Sequence, residues 1–208
     1  MSSDGQPETA LIIFVKHPQP GQVKTRLAAT MGDAMAVSIY ERLLHYTKEI
    51  TDDYPGPRYV YYHGRLPEHD LWEGPHIVRH QQNGPDLGAR MLNAFAEVLS
   101  VYDQALIIGS DCGELRTDHL NAARQSLAYA DVVLGPSRDG GYYLLGLKQP
   151  LSILFEDIDW STDGVLPTTL SRLLSGGLSF KLLETLADVD TEDDWNRLGW
   201  SEPAFEEE

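Results

Sequence analysis

The clearest chemical signal in the sequence is a loop that contains basic residues but no acidic ones. No aspartate or glutamate occurs in residues 9–32, although 32 of the 208 residues are acidic. The same segment carries Lys16, Lys24 and Arg26, which follow an apolar run. Lysine and arginine bind phosphate oxygens through charge-assisted hydrogen bonds, and Gly21 permits a close backbone approach. The loop therefore predicts a phosphate site, and the alternative is a solvated loop whose bases pair with nearby acids.

Carboxylates at two other places could hold a hard cation. Asp111 comes shortly after the apolar run 105–108, where a buried strand is expected to end. Magnesium needs only one or two protein carboxylates when phosphate oxygens supply its other ligands. Asp188 and Asp190 alternate along a segment expected to be extended, so they share one side and could add a second ligand. The alternatives are that Asp111 caps a turn and that residues 188–190 begin a solvated helix.

A third segment combines an acid with two glycines. Asp139 precedes Gly140 and Gly141, and this trio lies between two apolar runs. Adjacent glycines permit a tight turn or a backbone close to a ligand, and Asp139 could then bind substrate hydroxyls. An ordinary Asp-Gly hairpin turn has the same sequence, so both interpretations stay open.

The hydrophobic pattern predicts the elements that must position these segments. Strands are expected at residues 10–15, 59–62, 77–78, 105–108, 131–134, 142–147 and 180–183. Helices are expected from Asp33, after Asp86, from Thr117, over residues 165–174 and after Thr191, which with Asp194 resembles a capping box. Strands that alternate with helices indicate an α/β fold with a mainly parallel sheet covered on both faces. Ligands of such sheets bind beyond the carboxyl ends of the strands.

Composition narrows the class of protein. The length and an apolar content of 42% fit one domain over residues 1–208, with residues 1–9 and 201–208 expected to be flexible. A net charge of −16 argues against nucleic acid as a partner. No apolar run approaches the roughly 20 residues of a membrane span, and the start of the chain does not read as a signal peptide. The single cysteine, Cys112, is expected to be a small buried thiol, and a cytoplasmic location is expected.

Taken in order, these motifs resemble the nucleotide-diphospho-sugar transferase superfamily, with its GT-A type fold. Within that group the chain is similar to the radical-SAM/selenodomain-associated transferase family. It resembles, more distantly, the molybdenum-cofactor nucleotidyltransferases and 2-phospho-L-lactate guanylyltransferase. The residues that carry the resemblance are Phe14-Val15-Lys16, Pro20-Gly21, Val23-Lys24-Thr25-Arg26-Leu27, Asp86-Leu87-Gly88 with Arg90-Met91, Gly109-Ser110-Asp111-Cys112, Asp139-Gly140-Gly141-Tyr142-Tyr143 with Gly146-Leu147, Trp160-Ser161-Thr162, and Asp188-Val189-Asp190-Thr191 with Asp193 or Asp194.

Two departures accompany this resemblance, which spans residues 11–198. Gly113 stands where the family pattern has proline, and the first loop lacks the Gly-Gly-x-Ser form of the molybdenum-cofactor enzymes. The first departure concerns the rigidity of the turn after Asp111. The second weakens any inference about the substrate that is drawn from those enzymes.

The resemblance implies a three-layer α/β/α sandwich with a mainly parallel mixed sheet, and roles for individual residues. Asp111 and Asp190 would hold Mg²⁺ or Mn²⁺, and Lys24 and Arg26 would act with Asp111 in catalysis. The implied nucleotide-binding residues are Lys16, Gly21, Lys24, Arg26, Gln82, Asp86 and Arg90. The implied acceptor-binding residues are Asp139, Gly140, Gly141, Trp160, Ser161 and Thr162.

The implied activity is transfer from a nucleotide or nucleotide-sugar to a small-molecule acceptor. We expect glycosyl or related group transfer from a nucleotide-diphospho-sugar. Nucleotidyl transfer with release of pyrophosphate is the close alternative. A non-catalytic nucleotide-binding protein and a structural subunit are the alternatives from other classes. The sequence favours no particular base, acceptor or oligomeric state.

Overall fold

A computed structural model of the chain describes residues 8–201. The elements in this part of the chain are β1 (Thr9–Lys16), α1 (Thr25–Met31), α2 (Asp33–Asp52), β2 (Arg58–His63), β3 (Ile77–Gln81), α3 (Leu87–Leu99), β4 (Gln104–Ile108), α4 (Thr117–Ser126), β5 (Val132–Pro136), β6 (Tyr142–Leu147), a short 3-10 helix (Ser152–Leu154), α5 (Val165–Ser175), β7 (Phe180–Leu182) and α6 (Glu192–Leu198).

The strands form one mixed sheet in the order β3-β2-β1-β4-β6-β5-β7. Strand β1 pairs in parallel with β2 and β4, β2 pairs in parallel with β3, and β5 pairs in parallel with β7. Strand β6 runs antiparallel to both of its neighbours, β4 and β5. The predicted mainly parallel mixed sheet is therefore confirmed.

Side chains of β1 point alternately to the two faces of the sheet and contribute to two layers of the core. Leu11 and Ile13 pack on one face, with residues of α2 and α4. Ala10 and Ile12 pack on the other face, with residues of α3 and α5. Because a buried strand points successive side chains to opposite faces, both faces must be apolar. The arrangement confirms the three-layer α/β/α sandwich.

Local capping signals were correct at two helices and wrong at a third. The Asp86 carboxylate accepts a hydrogen bond from Ala89 N at 2.8 Å, as predicted for the start of α3. Asp33, by contrast, is the first residue of α2 and not its cap. The N-cap is Gly32, with a φ of 84°, and its N–H donates to Ala28 O at the end of α1. One glycine thus ends one helix and starts the next.

Helix α1 was not predicted from the sequence, and Arg26, which was expected in a loop, lies in its first turn. The helix has seven residues and buries only Leu27, so it shows no apolar period of its own.

The expected flexible ends fall almost entirely on residues that the structure does not describe. Residues 1–7 and 202–208 lie outside the described part, and Thr9 is already the first residue of β1. Among the described helices, none is long and apolar enough to cross a membrane.

The capping box at α6 is present as predicted. Asp194 N donates to Thr191 Oγ1 at 3.3 Å, and the Asp194 carboxylate accepts from Thr191 N at 2.9 Å. The same carboxylate accepts from Asp190 N at 3.1 Å, so the box also holds the backbone of Asp190.

We expect Thr191→Ala to lower the free energy of unfolding by about 1 kcal/mol, because α6 loses the acceptor for one N–H group of its first turn. Urea denaturation followed by circular dichroism measures this loss. Thr185→Ala, at an exposed position between β7 and α6, is the matched control. Equal losses in the two variants would contradict the capping role.

Candidate functional site

A pocket of about 830 Å³ opens at the carboxyl ends of the central strands. It is lined by Lys16 at the end of β1, His63 at the end of β2 and Asp111 just after β4. A smaller pocket of about 170 Å³ adjoins it, and Lys24 lines this second space together with Arg26. The carboxyl edge of the sheet is where α/β proteins bind ligands.

Lys24 lies between two of the predicted functional carboxylates. Its ammonium Nζ is 2.5 Å from Asp111 Oδ1 and 3.3 Å from Asp190 Oδ1, and only 4% of its side chain is exposed. Burial would lower the pKa of Lys24, but the charges of Asp111 and Asp190 raise it above its ordinary value. Arg26 Nη1 is 3.7 Å from Asp190 Oδ2, yet 71% of its side chain is exposed. Arg26 can therefore reach a ligand, whereas Lys24 is committed to the carboxylates.

The backbone of Lys24 is strained in a way that supports this contact. Its φ of 47° lies in the left-handed region, which residues with a Cβ rarely adopt. Such a conformation costs roughly 1–3 kcal/mol and persists where the surroundings enforce it. Here Lys24 is also the N-cap of α1, so the turn that starts the helix directs the ammonium towards Asp111.

A third carboxylate, that of Asp188, lies close to the same cluster. Val189 N donates to Asp111 O at 2.9 Å, which holds residues 188–190 beside the end of β4. Loss of hydration and the charge of Asp111 raise the pKa of Asp188 to about 7. Loss of hydration also opposes ionisation of Asp111, but the Lys24 ammonium holds its pKa below the ordinary value. The one buried ammonium contacts two of these three carboxylates, Asp111 and Asp190, so the cluster holds more negative than positive groups.

The cluster has the chemistry of a hard-cation site. No group of three or more potential ligand side chains has the geometry of a metal centre within residues 8–201. Asp111 and Asp190 nevertheless offer the one or two carboxylates that Mg²⁺ or Mn²⁺ requires when phosphate oxygens complete its coordination. A divalent cation would also offset the charge repulsion that raises the pKa of Asp188. The residues fit such an ion.

The opposite side of the pocket is cationic. The guanidinium of Arg90, on α3, donates to His63 Nδ1 at 2.8 Å and to Gly84 O at 2.9 Å. Burial and the positive charges of Arg90 and Lys16 lower the pKa of His63. His63 is therefore neutral, accepts at Nδ1 and carries its proton on Nε2. Sequence reasoning missed His63, although its place at the end of a predicted strand could have indicated it.

The basic and the acidic residues that line the pocket come mainly from different halves of the sheet. Lys16, His63 and Arg90 come from the half that contains β3, β2 and β1, whereas Arg26, which follows β1 along the chain, lies where the two halves meet, beside Asp190. The half that contains β4, β6 and β5 presents only aspartates among its charged lining residues. These are Asp111, Asp139, Asp163, Asp188 and Asp190.

The Asp139 turn is a hairpin turn and also lines the pocket. It joins the antiparallel strands β5 and β6, and Gly141 N donates to Asp139 Oδ1 at 2.9 Å. Gly140 has a φ of 90°, and a Cβ there would lie 2.4 Å from the Cα of Asp163. The turn therefore packs directly on the segment that precedes α5.

Trp160 forms an apolar wall of the pocket. A Cβ on Gly88 would lie 2.5 Å from Trp160 Nε1, so the indole packs on the first turn of α3. The ring of Tyr142 meets Trp160 edge to face, with centroids 6.5 Å apart. The guanidinium of Arg172 donates to Ile153 O, Glu156 O and Asp157 O, which ties the segment before Trp160 to α5.

Most residues predicted for the site meet at this pocket. Those that line it are Lys16, Arg26, Gln82, Arg90, Asp111, Asp139, Gly141, Trp160, Ser161, Thr162 and Asp190. Lys24 lines only the adjoining space, and Gly21, Asp86 and Gly140 line neither. Asp86 acts as the cap of α3. Cys112 is buried beside Asp111, as expected of a small thiol, and burial raises its pKa.

Two comparisons decide the family. The model of a family described as "Uncharacterized protein conserved in bacteria (DUF2064)" matches residues 46–162. A candidate nucleotide-diphospho-sugar transferase from Desulfovibrio desulfuricans G20 is 30% identical over 93% of this chain and 87% of that chain, with a TM-score of 0.84. The chain belongs to the DUF2064 family. No curated protein sequence matches it significantly.

More distant structures share the fold of this DUF2064 protein. The inositol-1-phosphate CTP transferase of T. maritima is 14% identical, covers 91% of this chain and 92% of that one, and has a TM-score of 0.56. Rv0371C of Mycobacterium tuberculosis, solved in complex with manganese, is 14% identical, covers 93% and 98%, and has a TM-score of 0.52. The fold is thus that of nucleotide-sugar transferases and nucleotidyltransferases, which confirms, at the level of fold, the resemblance to the nucleotide-diphospho-sugar transferase superfamily.

The raised pKa of Asp188 predicts how stability depends on pH in metal-free protein. The folded state binds the Asp188 proton more tightly than the unfolded state, whose carboxyl titrates near pH 4. Stability from this group is therefore complete below about pH 4 and is lost as pH rises through about 7. Asp188→Asn should lack that loss, so its stability relative to wild type should rise between about pH 5 and pH 8.

Urea denaturation in a chelator at both pH values measures this difference. Asparagine keeps an acceptor for the Ser137 hydroxyl, which donates to Asp188 Oδ2 at 2.8 Å in the wild-type protein. Asp103→Asn, exposed at the amino end of β4, is the control. A difference that stays constant with pH would show that Asp188 titrates normally.

Proposed function

We propose that the protein transfers a glycosyl or related group from a nucleotide-activated donor to a small-molecule acceptor, with Mg²⁺ or Mn²⁺. The observation that carries this proposal is the pocket with cations on one side and aspartates on the other, at the carboxyl edge of the sheet. The shared fold of nucleotide-sugar transferases supports it. The narrower resemblance to radical-SAM/selenodomain-associated transferases stays a prediction.

The cationic side suits the nucleotide. Lys16 and the exposed Arg26 would bind the diphosphate, since both are basic residues that line the pocket. Arg90 would bind near the ribose or base together with Gln82. His63 would add a hydrogen-bond donor there, because its Nδ1 already accepts from Arg90 and its Nε2 carries the proton.

Asp111 and Asp190 would hold the divalent cation. When bound, that ion would neutralise the diphosphate and stabilise it as a leaving group. Lys24 would hold the two carboxylates in place, since its ammonium contacts both. The acceptor hydroxyl oxygen would bond to the sugar carbon as the bond from that carbon to the phosphate oxygen breaks. The nucleoside diphosphate leaves, and the hydroxyl proton passes to a carboxylate of the acidic side.

The position of Lys24 favours glycosyl over nucleotidyl transfer. A leaving pyrophosphate requires several cations near the triphosphate, and Lys24 with Arg26 would be the obvious pair. Lys24, however, is 4% exposed and engaged with two carboxylates. The remaining bases, Lys16 and Arg26, match the smaller charge of a diphosphate. Nucleotidyl transfer is the competing chemistry, and the released product distinguishes the two.

The reaction class is tested by incubating the protein with Mg²⁺, nucleotide sugars or nucleoside triphosphates, and mixed acceptors. We expect acceptor-dependent release of a nucleoside diphosphate from a nucleotide sugar. Acceptor-dependent release of pyrophosphate would establish nucleotidyl transfer instead. A nucleotide-induced rise in melting temperature without turnover would indicate a non-catalytic binding protein.

Asp111→Asn tests the metal assignment. We expect the variant to fold but to lose at least about tenfold in Mg²⁺-dependent nucleotide affinity, because a neutral amide replaces a charged ligand. Isothermal titration calorimetry with and without Mg²⁺ measures the change, and Asp103→Asn at the other end of β4 is the control. Unchanged affinity of Asp111→Asn in Mg²⁺ would exclude the carboxylate as a ligand.

A further inference from the structure

We propose that the acceptor is a sugar-like polyhydroxyl compound without phosphate or carboxylate groups, and that an amino group on it strengthens binding. It would lie between the wall formed by Trp160 and Tyr142 and the carboxylates of Asp139 and Asp163. This inference rests on the proposed transferase function and adds the chemical class of the acceptor.

The negative charge of the acidic side determines which acceptor groups can bind there. Assigning Asp111 and Asp190 to the metal leaves Asp139, Asp163 and Asp188 on this side of the pocket. None of these three forms an ion pair with a basic side chain of residues 8–201. An anionic acceptor group would therefore meet like charges, whereas hydroxyl and ammonium groups would find acceptors.

The nearest helix N-terminus does not supply an anion site. Such termini bind phosphate through N–H groups that lack partners inside the helix. At α5, Gly164 N donates to Thr162 Oγ1 at 3.3 Å, and Leu166 N donates to Gly140 O at 2.8 Å. Val165 N donates to Thr162 O at 3.4 Å, and Pro167, which follows Leu166, has no N–H. The first turn is thus closed to an acceptor phosphate.

Asp139 and Asp163 belong to two segments that pack against each other. The Gly140 backbone approaches Asp163 so closely that a Cβ would lie 2.4 Å from its Cα and 2.5 Å from its carbonyl oxygen. Asp139 and Asp163 therefore come from touching parts of the chain, and both line the pocket.

The aromatic wall supplies the remaining contact. Trp160 and Tyr142 line the pocket and pack edge to face, and Trp160 is fixed against Gly88. A sugar ring presents C–H groups on its faces and hydroxyl groups around its rim. An apolar aromatic surface next to carboxylates matches both, which is the usual composition of a specific small-molecule site.

The test compares matched probes in wild-type protein. Glucose, glucosamine and glucose 6-phosphate, with the galactose and mannose series, are titrated with Mg²⁺ and inorganic pyrophosphate present to occupy the cationic side. Ligand-detected NMR reports binding. We expect an amino sugar to bind best, roughly tenfold tighter than its neutral parent, and the 6-phosphates to bind weakest.

Asp163→Asn removes one charge with little change in shape. It should bring the amino sugar close to the affinity of its neutral parent while leaving the binding of Mg²⁺ and pyrophosphate unchanged. A 6-phosphate that binds as tightly as its parent, or no binding by any probe, would overturn the acceptor class. Failure of pyrophosphate and Mg²⁺ to bind would instead count against the proposed function, because that site uses the other side of the pocket.

Discussion

The contact of the Lys24 ammonium with Asp111 and Asp190 is the interaction on which the rest of the site depends. It joins three parts of the chain: the loop after β1, the end of β4 and the segment before α6. A buried ammonium is costly unless paired, and a carboxylate cluster repels itself unless a cation intervenes. The pairing therefore offsets both the cost of burying the ammonium and the repulsion between the carboxylates. It also offsets the cost of the left-handed backbone conformation of Lys24.

The same contact leaves the site with a charge imbalance. The Lys24 ammonium contacts two of three neighbouring carboxylates, and the pKa of the third, Asp188, rises to about 7 because of lost hydration and the charge of Asp111. Residues 188–190 cannot easily move away, because Val189 is buried among α1, α2 and α6 and donates to Asp111 O. The α6 capping box holds Asp190 N as well. The fold thus maintains a concentration of negative charge that suits a metal ion and a cationic or neutral ligand.

The two sides of the pocket differ because the strands beneath them differ. Parallel strands β1 and β2 end in basic or imidazole side chains, whereas the reversed strand β6 brings the Asp139 turn to the same edge. Close approaches at Gly140 and Gly88 complete the acidic side and the Trp160 wall respectively, since each permits a neighbouring segment to pack where a Cβ would clash. Separation of charge across one pocket suits a donor with phosphates and an acceptor without them.

The sequence by itself determined the strands, most helices and the composition of the site. Buried strands are continuous apolar runs, and the caps at Asp86 and Thr191 act on residues three positions away, so both are visible locally. The acid-free loop and the acids that follow β4 and β7 supply residues that line the pocket.

Only the tertiary structure decided how these residues are used. Lys24 pairs with Asp190 across 166 positions, and Arg90 pairs with His63 across 27, and no local pattern encodes such contacts. Helix α1 was missed because its seven residues bury one side chain, and the reversal of β6 is not visible in an apolar run that reads the same in either direction. Charges and apolar periods are properties of the chain, but their pairing depends on which strand ends the sheet brings side by side.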